Sequence, residues 1–485
     1  MDMSHHDIIT HHFPFPRLSQ GGVDILMDGA VVFFKFCIKC YNTPMAEKDQ
    51  KTNKLSTEAY KGVRDFYPED MAVQNYIFSI FKKVCESYGY SQYDASVLEP
   101  ADLYRAKSGE EIVNEQTYTF TDRGDREVTL RPEMTPTVAR MVAGRKQELS
   151  FPLRWYSIPN LFRYEKPQKG RLREHWQLNV DLFGVADTSA EVEVISLAYM
   201  IMKEIGLKDG DFQIRLNSRK IMNFILNDLM SLDEITTGKI CKLIDKKNKL
   251  ESKDFNLGIK ELLNSKSAEF LTLLNSQNFE EFISRLPKTL EVAEKVDEIK
   301  NVISQLEKLG ITNVIFDQTL MRGFDYYTGI VFEVYDNNPA NRRSVFGGGR
   351  YDDLLSIFGG DKIPAFGFGT GDVIIRDILE TYNKLPEYKS KTDLYICTLG
   401  KDYQDYANEL AQRLRESDVN VAVNLTEKKI GDQIKSADKQ KIPYIICIGE
   451  DEIKTEKFKL KNLKTGEELV EEIDQIIKVL RKKLI

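Results

Sequence analysis

Between positions 176 and 182 the chain alternates without a break: Trp176, Leu178, Val180 and Leu182 on one side, Gln177, Asn179 and Asp181 on the other. Side chains of a strand point to opposite faces in turn, so this period of two commits the segment to a β-strand with one apolar and one polar face. Just upstream, Arg163 and Glu165 are two apart and share a face as well. Residues 153–183 therefore read as two long strands joined by a loop over 166–173, which carries Lys166, Lys169, Arg171 and Arg173. A polar strand face that simply meets water is the ordinary outcome. A cationic loop above a mixed polar floor offers another: the cations suit a polyphosphate, and the floor suits a small polar substrate.

Such a hairpin needs a sheet around it, and 485 residues are enough for roughly two to four domains. The composition, 42% hydrophobic and 29% charged, supplies cores of normal size. A formal net charge of -7 argues against a protein that coats nucleic acid indiscriminately, but it leaves room for local basic patches. The six cysteines (Cys37, Cys40, Cys85, Cys241, Cys397, Cys447) are too scattered for a disulfide scaffold. They point to reduced thiols and a cytoplasmic setting. Cys37 and Cys40 form a CxxC without a second pair or nearby histidines, and no metal site is assigned. No run approaches the roughly 18 apolar residues of a membrane span. The nearest stretch, 25–40, is interrupted by Asp28, Lys35 and Lys39 and is no secretion signal either.

Along the chain, residues 1–55 are atypical, with His5, His6, His11 and His12 and then a short apolar run. They read as a disordered extension, a targeting segment, or translated upstream sequence with the true start at Met45. Residues 71–88 form a helix by the spacing of Val73, Ile77, Ile80, Phe81 and Val84. A hairpin spans 118–130, with alternating Tyr118 and Phe120, a turn at 122–125, and Val128 and Leu130 returning. Pro136 opens a helix, and another covers about 188–205. Residues 210–310 read as a mostly helical insertion, strands return over 312–335, and glycines crowd 347–371. After a polar linker at 384–392, strands and helices alternate over 394–448, marking a separate small α/β domain.

The segment 161–184, LFRYEKPQKGRLREHWQLNVDLFG, resembles motif 2 of class II aminoacyl-tRNA synthetases in the form found in histidyl-tRNA synthetases. The resemblance implies that Arg163 contacts the α-phosphate and the substrate carboxylate, and that Glu165 lies near the adenine. It also implies that Arg171 binds the γ-phosphate end, that Arg173 and His175 belong to the ATP side, and that Gln177 and Asp181 line a histidine pocket. The segment 129–137, TLRPEMTPT, resembles the family's TLRPE-x-T, whose acid and threonine hold the α-amino group; these are Glu133 and Thr135. A fixed anion and a further acceptor are what an ammonium needs. A capping arrangement for the following helix is the bland alternative.

The segment 320–329, LMRGFDYYTG, resembles a signature peculiar to histidyl-tRNA synthetases. It implies that Arg322 reaches the α-phosphate and the bound histidine, and that Tyr327 meets the imidazole. A neutral imidazole has one donor and one acceptor nitrogen, which Asp181 and Tyr327 together satisfy. In 346–353, FGGGRYDD, the family's GGGRYD recurs, and Tyr351 flanks the histidine site. Residues 62–68 with the helix after them resemble motif 1, which implies a homodimer.

Two positions depart from the family pattern. Ile374 stands where motif 3 carries an arginine, and Arg376, two residues on, is turned by about 200° on a helix. His175 replaces the usual stacking phenylalanine of motif 2.

The implied architecture is a multidomain α/β and α+β chain. A class II synthetase antiparallel-sheet catalytic core occupies 56–209 and 311–383, with the helical insertion at 210–310. A C-terminal α/β anticodon-binding domain occupies 391–485, where Lys428, Lys429, Lys435 and Lys439 are candidate RNA contacts. The implied activity is histidine–tRNA ligation, using ATP as substrate with Mg2+ accompanying it, and tRNA(His) as partner, with no membrane. A histidine-sensing regulatory paralogue is the first alternative, although such paralogues typically lack the C-terminal domain and the RG-x-DYY signature. A synthetase for threonine, proline or glycine is the second.

Overall fold

The computed structural model describes residues 55–105, 116–247, 250–321, 326–341 and 343–482. From Ala59 onward the chain forms one compact unit; of the preceding unit, Met1–Glu58, only four exposed residues (55–58) are described. The extension and the CxxC thus lie almost entirely outside the described residues.

The first part of the chain contributes β1 (Ser91–Gln92), β2 (Leu98–Pro100), β3 (Tyr118–Thr121), β4 (Glu127–Leu130), β5 (Leu153–Ser157) and β6 (Asn160–Phe162). They are followed by β7 (Glu174–Phe183), β8 (Phe212–Ser218), β9 (Val314–Phe316), β10 (Ile330–Asp336), β11 (Ser344–Arg350) and β12 (Ala365–Gly371). The main sheet runs β1-β5-β7-β12-β11-β10-β8-β9, with β6 pairing to β7 off that path. Its interior pairs are antiparallel, and only the outermost pairs, β1 with β5 and β8 with β9, are parallel. Strands β2, β4 and β3 form a small separate sheet.

The alternation in β7 is what divides the sheet into a dry side and a wet side. Leu178, Val180 and Leu182 enter the main core together with Phe332, Phe366 and Phe368. Two helices cover this side. Pro68–Ser87 buries Val73, Ile77, Ile80, Phe81 and Val84, the stripe its sequence spacing predicts. Ser189–Glu204 adds Val194, Ile195, Leu197 and Ile201. Each such side chain contributes roughly 1.5–3 kcal/mol on burial. Gln177, Asn179 and Asp181 are left on the opposite face, and a cavity opens there.

Three local readings change. The first strand of the 153–183 pair is broken between β5 and β6 at Pro159, which has no N–H to donate to a ladder; its carbonyl instead accepts from the Gln177 N–H at 3.0 Å. The 210–310 segment does not begin as a helix, because β8 pairs with β10 over seven residues inside the main sheet. Its helices follow, from Arg219–Asn223 to Leu290–Lys308. Four of the starts are capped by side chains: Ser218 accepts from Ile221 N–H, Asp233 from Thr236 N–H, Asn278 from Glu281 N–H, and Thr289 from Val292 N–H. Their apolar faces do not form a separate core, since Ile240, Phe255, Phe270 and Ile299 join the main one. Finally, beyond position 448 a hairpin and two helices, Glu450–Thr455 and Ile473–Lys482, complete the terminal region. Its strands are β13 (Leu394–Thr398), β14 (Val421–Val423), β15 (Tyr444–Ile448), β16 (Lys457–Asn462) and β17 (Glu468–Glu472), in the order β14-β13-β15-β16-β17. This sheet has its own core around Ile396, Leu410, Leu414, Ile446 and Phe458.

Candidate active site

The polar face of β7 and its neighbours encloses a cavity of about 870 Å³. Register explains the space. Gly367 lies opposite Asp181, and Gly369 opposite Asn179. A Cβ on Gly367 would land on the Asp181 carboxylate and within 2.5 Å of the Val180 carbonyl. One on Gly369 would come to 2.8 Å from the Gln177 amide nitrogen, and one on Gly349 to 2.8 Å from the Tyr327 ring. These glycines serve as clearance for side chains of adjacent strands, not as turns.

Glu133, Thr135, Gln177, Asp181, Tyr326, Tyr327 and Tyr351 line the cavity. The Tyr351 hydroxyl donates to Asp181 Oδ1, while Asp181 Oδ2 is buried with no hydrogen-bond partner among the described residues. Burial dominates here and raises the Asp181 carboxyl to about 7, although the Tyr351 hydrogen bond opposes it. The Tyr326 hydroxyl donates to Glu133 at 3.4 Å, and its ring leans on Tyr327 with centroids 4.9 Å apart. Thr135 occupies the first residue of the helix Thr135–Gly144, whose cap position is Met134. The threonine therefore faces the cavity and is not the capping residue.

Cations line the same cavity. Arg163 lines the cavity and is steadied by its Nε donating to the Pro132 carbonyl at 2.8 Å, which ties it to the Glu133 segment. Arg171 Nε lies 2.7 Å from Glu165 Oε2. His175 also lines the cavity; desolvation first, then Arg163, Arg64 and Arg171, lower it to about 3, so the ring is neutral at ordinary pH. Arg173 does not line the cavity. Its guanidinium lies 4.0 Å over the Tyr164 ring and donates to Tyr60 Oη at 3.0 Å. The chain bends at Arg173, between the short bridge at Arg171 and the start of β7, so 171 and 173 are not held on one side. Arg322 lies outside the described residues.

Ile374 lines the cavity from the helix Asp372–Thr381, as the sequence pattern implies. Arg376 points away and pairs with Asp70 at 3.0 Å and Glu380 at 3.2 Å. In the motif 1-like segment, Arg64 holds buried Asp372 at 2.7 Å, and Asp372 also accepts the Trp176 N–H at 2.9 Å. Several cavity residues went unassigned from sequence. Asn179 was on the right face, and Glu333 and Tyr335 share a face of β10 by the same spacing of two, which was a usable signal. Asp245 and Arg343 arrive from distant segments and carried none.

In the terminal region Lys428, Lys429, Lys435 and Lys439 are all exposed, and Lys435 lies 3.7 Å from Asp432. Among the described residues no helix is long and apolar enough to cross a membrane, and the four described cysteines form no disulfide.

Known proteins share both parts of this arrangement. The histidyl-tRNA synthetase family model matches residues 62–371, and the anticodon binding domain model matches 393–483. A histidine–tRNA ligase from Leptospira biflexa is 42% identical over 436 residues, spanning 90% of this chain and 99% of that one. A chloroplastic/mitochondrial histidine–tRNA ligase from Arabidopsis thaliana is 36% identical over 431 residues, spanning 88% and 87%. The crystal structure of a histidyl-tRNA synthetase from Nostoc superposes with a TM-score of 0.72 at 22% identity, covering 89% of this chain and all (100%) of that one, which shows the same fold. On the length of these matches and the order of its motifs, this chain belongs to the histidyl-tRNA synthetase family.

Proposed function

We propose that this chain is a histidine–tRNA ligase that activates histidine with ATP and transfers it to tRNA(His). The observation that carries this reading is the meeting of two chemistries in one cavity. Glu133, Thr135, Asp181 and Tyr327 line it, and so do Arg163 and Arg171. Histidine sits with its ammonium on Glu133 and Thr135. Its imidazole donates to Asp181, whose second oxygen has no other partner among the described residues, and accepts from Tyr327. Gln177 and Tyr351 complete the pocket. A buried polar pair also rejects apolar amino acids, which would leave it unsatisfied.

The histidine carboxylate is already ionised, so adenylate formation needs no general base. Its oxygen attacks the α-phosphorus of ATP, the bond to the β-phosphate breaks, and pyrophosphate leaves. Arg163 and Arg322 stabilise the charge on the α-phosphate, and catalysis rests on positioning and electrostatics. Mg2+ accompanies ATP and neutralises triphosphate charge. Glu165 and neutral His175 border the adenine, and Arg171 the γ-phosphate. A hydroxyl of the 3′-terminal ribose of the tRNA then attacks the adenylate carbonyl and AMP departs.

Residues 56–209 and 311–383, with β8 added, constitute the catalytic body. The helices after β8 are an insertion, and 391–485 bind the anticodon end. The active form is a homodimer built through the motif 1-like helix, working in the cytoplasm. The regulatory-paralogue reading is disfavoured by the match of 393–483 to an anticodon binding domain.

ATP–pyrophosphate exchange with each of the twenty amino acids tests the assignment. Histidine alone should support exchange; support from another amino acid, or from none, overturns it. Arg322→Ala should reduce exchange at least about 100-fold with the fold intact. An unchanged rate in that variant would remove Arg322 from the chemistry.

A further inference from the structure

Arg343 stands immediately before β11, where the β10–β11 hairpin approaches the 166–173 loop. It lines the same cavity as Glu165, Arg171 and Ile374. The loop runs close beside its stem: a Cβ on Gly170 would lie 3.2 Å from Arg343 Cδ and 3.6 Å from Ile374 Cδ1. Lys169 Nζ donates to the Ala340 carbonyl at 3.3 Å and joins loop to hairpin. Arg343 and Ile374 therefore reach the same loop residue from two different elements.

Arg343 is only partly exposed, yet it makes no hydrogen bond or ion pair among the described residues. The charges that act on it are Arg171, of the same sign, and Glu165. Glu165 is already engaged by Arg171 at 2.7 Å. Desolvation and then Arg171 lower the Arg343 pKa, so holding this cation in the cavity carries a cost. Two guanidiniums sharing one carboxylate in a partly dry cavity leave a place for further negative charge. Nearby, the position where the family pattern carries an arginine is occupied by Ile374, and Arg376 is committed to Asp70 and Glu380.

We propose that Arg343 is an ATP-binding residue: paired with Arg171, it grips the β- and γ-phosphates from the β10–β11 hairpin, supplying a cation that the helix bearing Ile374 does not. The assignment rests on reading the cavity as the ATP site. A planar guanidinium can hold two phosphate oxygens at once, which a lysine at the same place cannot.

The test uses the full chain and compares wild type with Arg343→Ala and Arg343→Lys. Dissociation constants are measured for ATP, inorganic pyrophosphate and AMP, alongside KM values for ATP and histidine in exchange. ATP and pyrophosphate should each weaken about 10- to 100-fold in Arg343→Ala. AMP should stay within about twofold and the KM for histidine should hold, because AMP lacks the gripped phosphates. Arg343→Lys should fall between, and it decides the matter should Arg343→Ala show a lowered unfolding midpoint. Equal weakening of ATP and AMP would overturn the proposal in favour of an adenine contact, and unchanged constants would overturn it outright. Wild type that binds ATP and pyrophosphate without histidine-dependent exchange would sink the functional assignment while the binding constants still judge Arg343. Failure of wild type to bind ATP would sink both.

Discussion

Asp181, to which we give a binding role, also carries a cost to folding. Its folded pKa of about 7 lies above the roughly 4 of an unfolded aspartate. Between those values the folded chain holds a proton that the unfolded chain has lost, so this group's contribution to stability falls as pH rises from about 4 to about 7, and then levels off. Asp181→Asn removes that loss while keeping an acceptor for Tyr351. At pH 8 the variant should be more stable by roughly 1–3 kcal/mol, with a flatter stability profile, yet exchange with histidine should drop sharply. Thermal unfolding at pH 5 and pH 8, set beside exchange rates, checks both halves. A variant that is destabilised at pH 8 would contradict this account of Asp181. Its place on the polar face was legible from strict alternation along one strand, and its pocket role was implied by the motif resemblance. The place of Arg343 was not legible, because a lysine–carbonyl contact across 171 positions of sequence brings its hairpin to the loop.

At the level of elements, β12 shows how one strand makes room for the side chains of another. Gly367→Ala drives a Cβ into Asp181 and the Val180 carbonyl, whereas Gly371→Ala meets nothing nearer than 3.9 Å. The first change should cost about 1–3 kcal/mol and abolish histidine-dependent exchange. The second should stay within about 0.5 kcal/mol of wild type. Chemical denaturation of the two variants separates them, and equal stabilities would refute the clearance role. The glycines could be read as close-approach positions from sequence, but not what approaches them, since that depends on the β7–β12 register. The 166–173 loop failed in a different way. A spacing of two carries meaning only in extended backbone, and the chain bends at Arg173 before β7 begins, so Arg171 and Arg173 meet different surroundings.

For the whole molecule, the two sheets have separate cores, and no described residue of the terminal core belongs to the main one. Deleting 391–485 should therefore leave histidine-dependent exchange within a few-fold of wild type, because the cavity is built wholly from residues before 375. Charging of tRNA(His) should fall at least about 100-fold, since that region carries the exposed lysines proposed to meet RNA phosphates. Assaying both reactions on the truncated chain decides; equal losses would mean that the terminal region supports the catalytic sheet directly. The sequence by itself determined the apolar and polar faces of β7 and the helix before it, and the side-chain chemistry available at each motif, because these follow from local backbone periodicity and side-chain type. Only the tertiary structure decided which cations share the cavity, that β8 belongs to the main sheet, and that Arg173 turns away. Those outcomes depend on strand register and loop contacts between segments far apart in the chain, which no local pattern encodes.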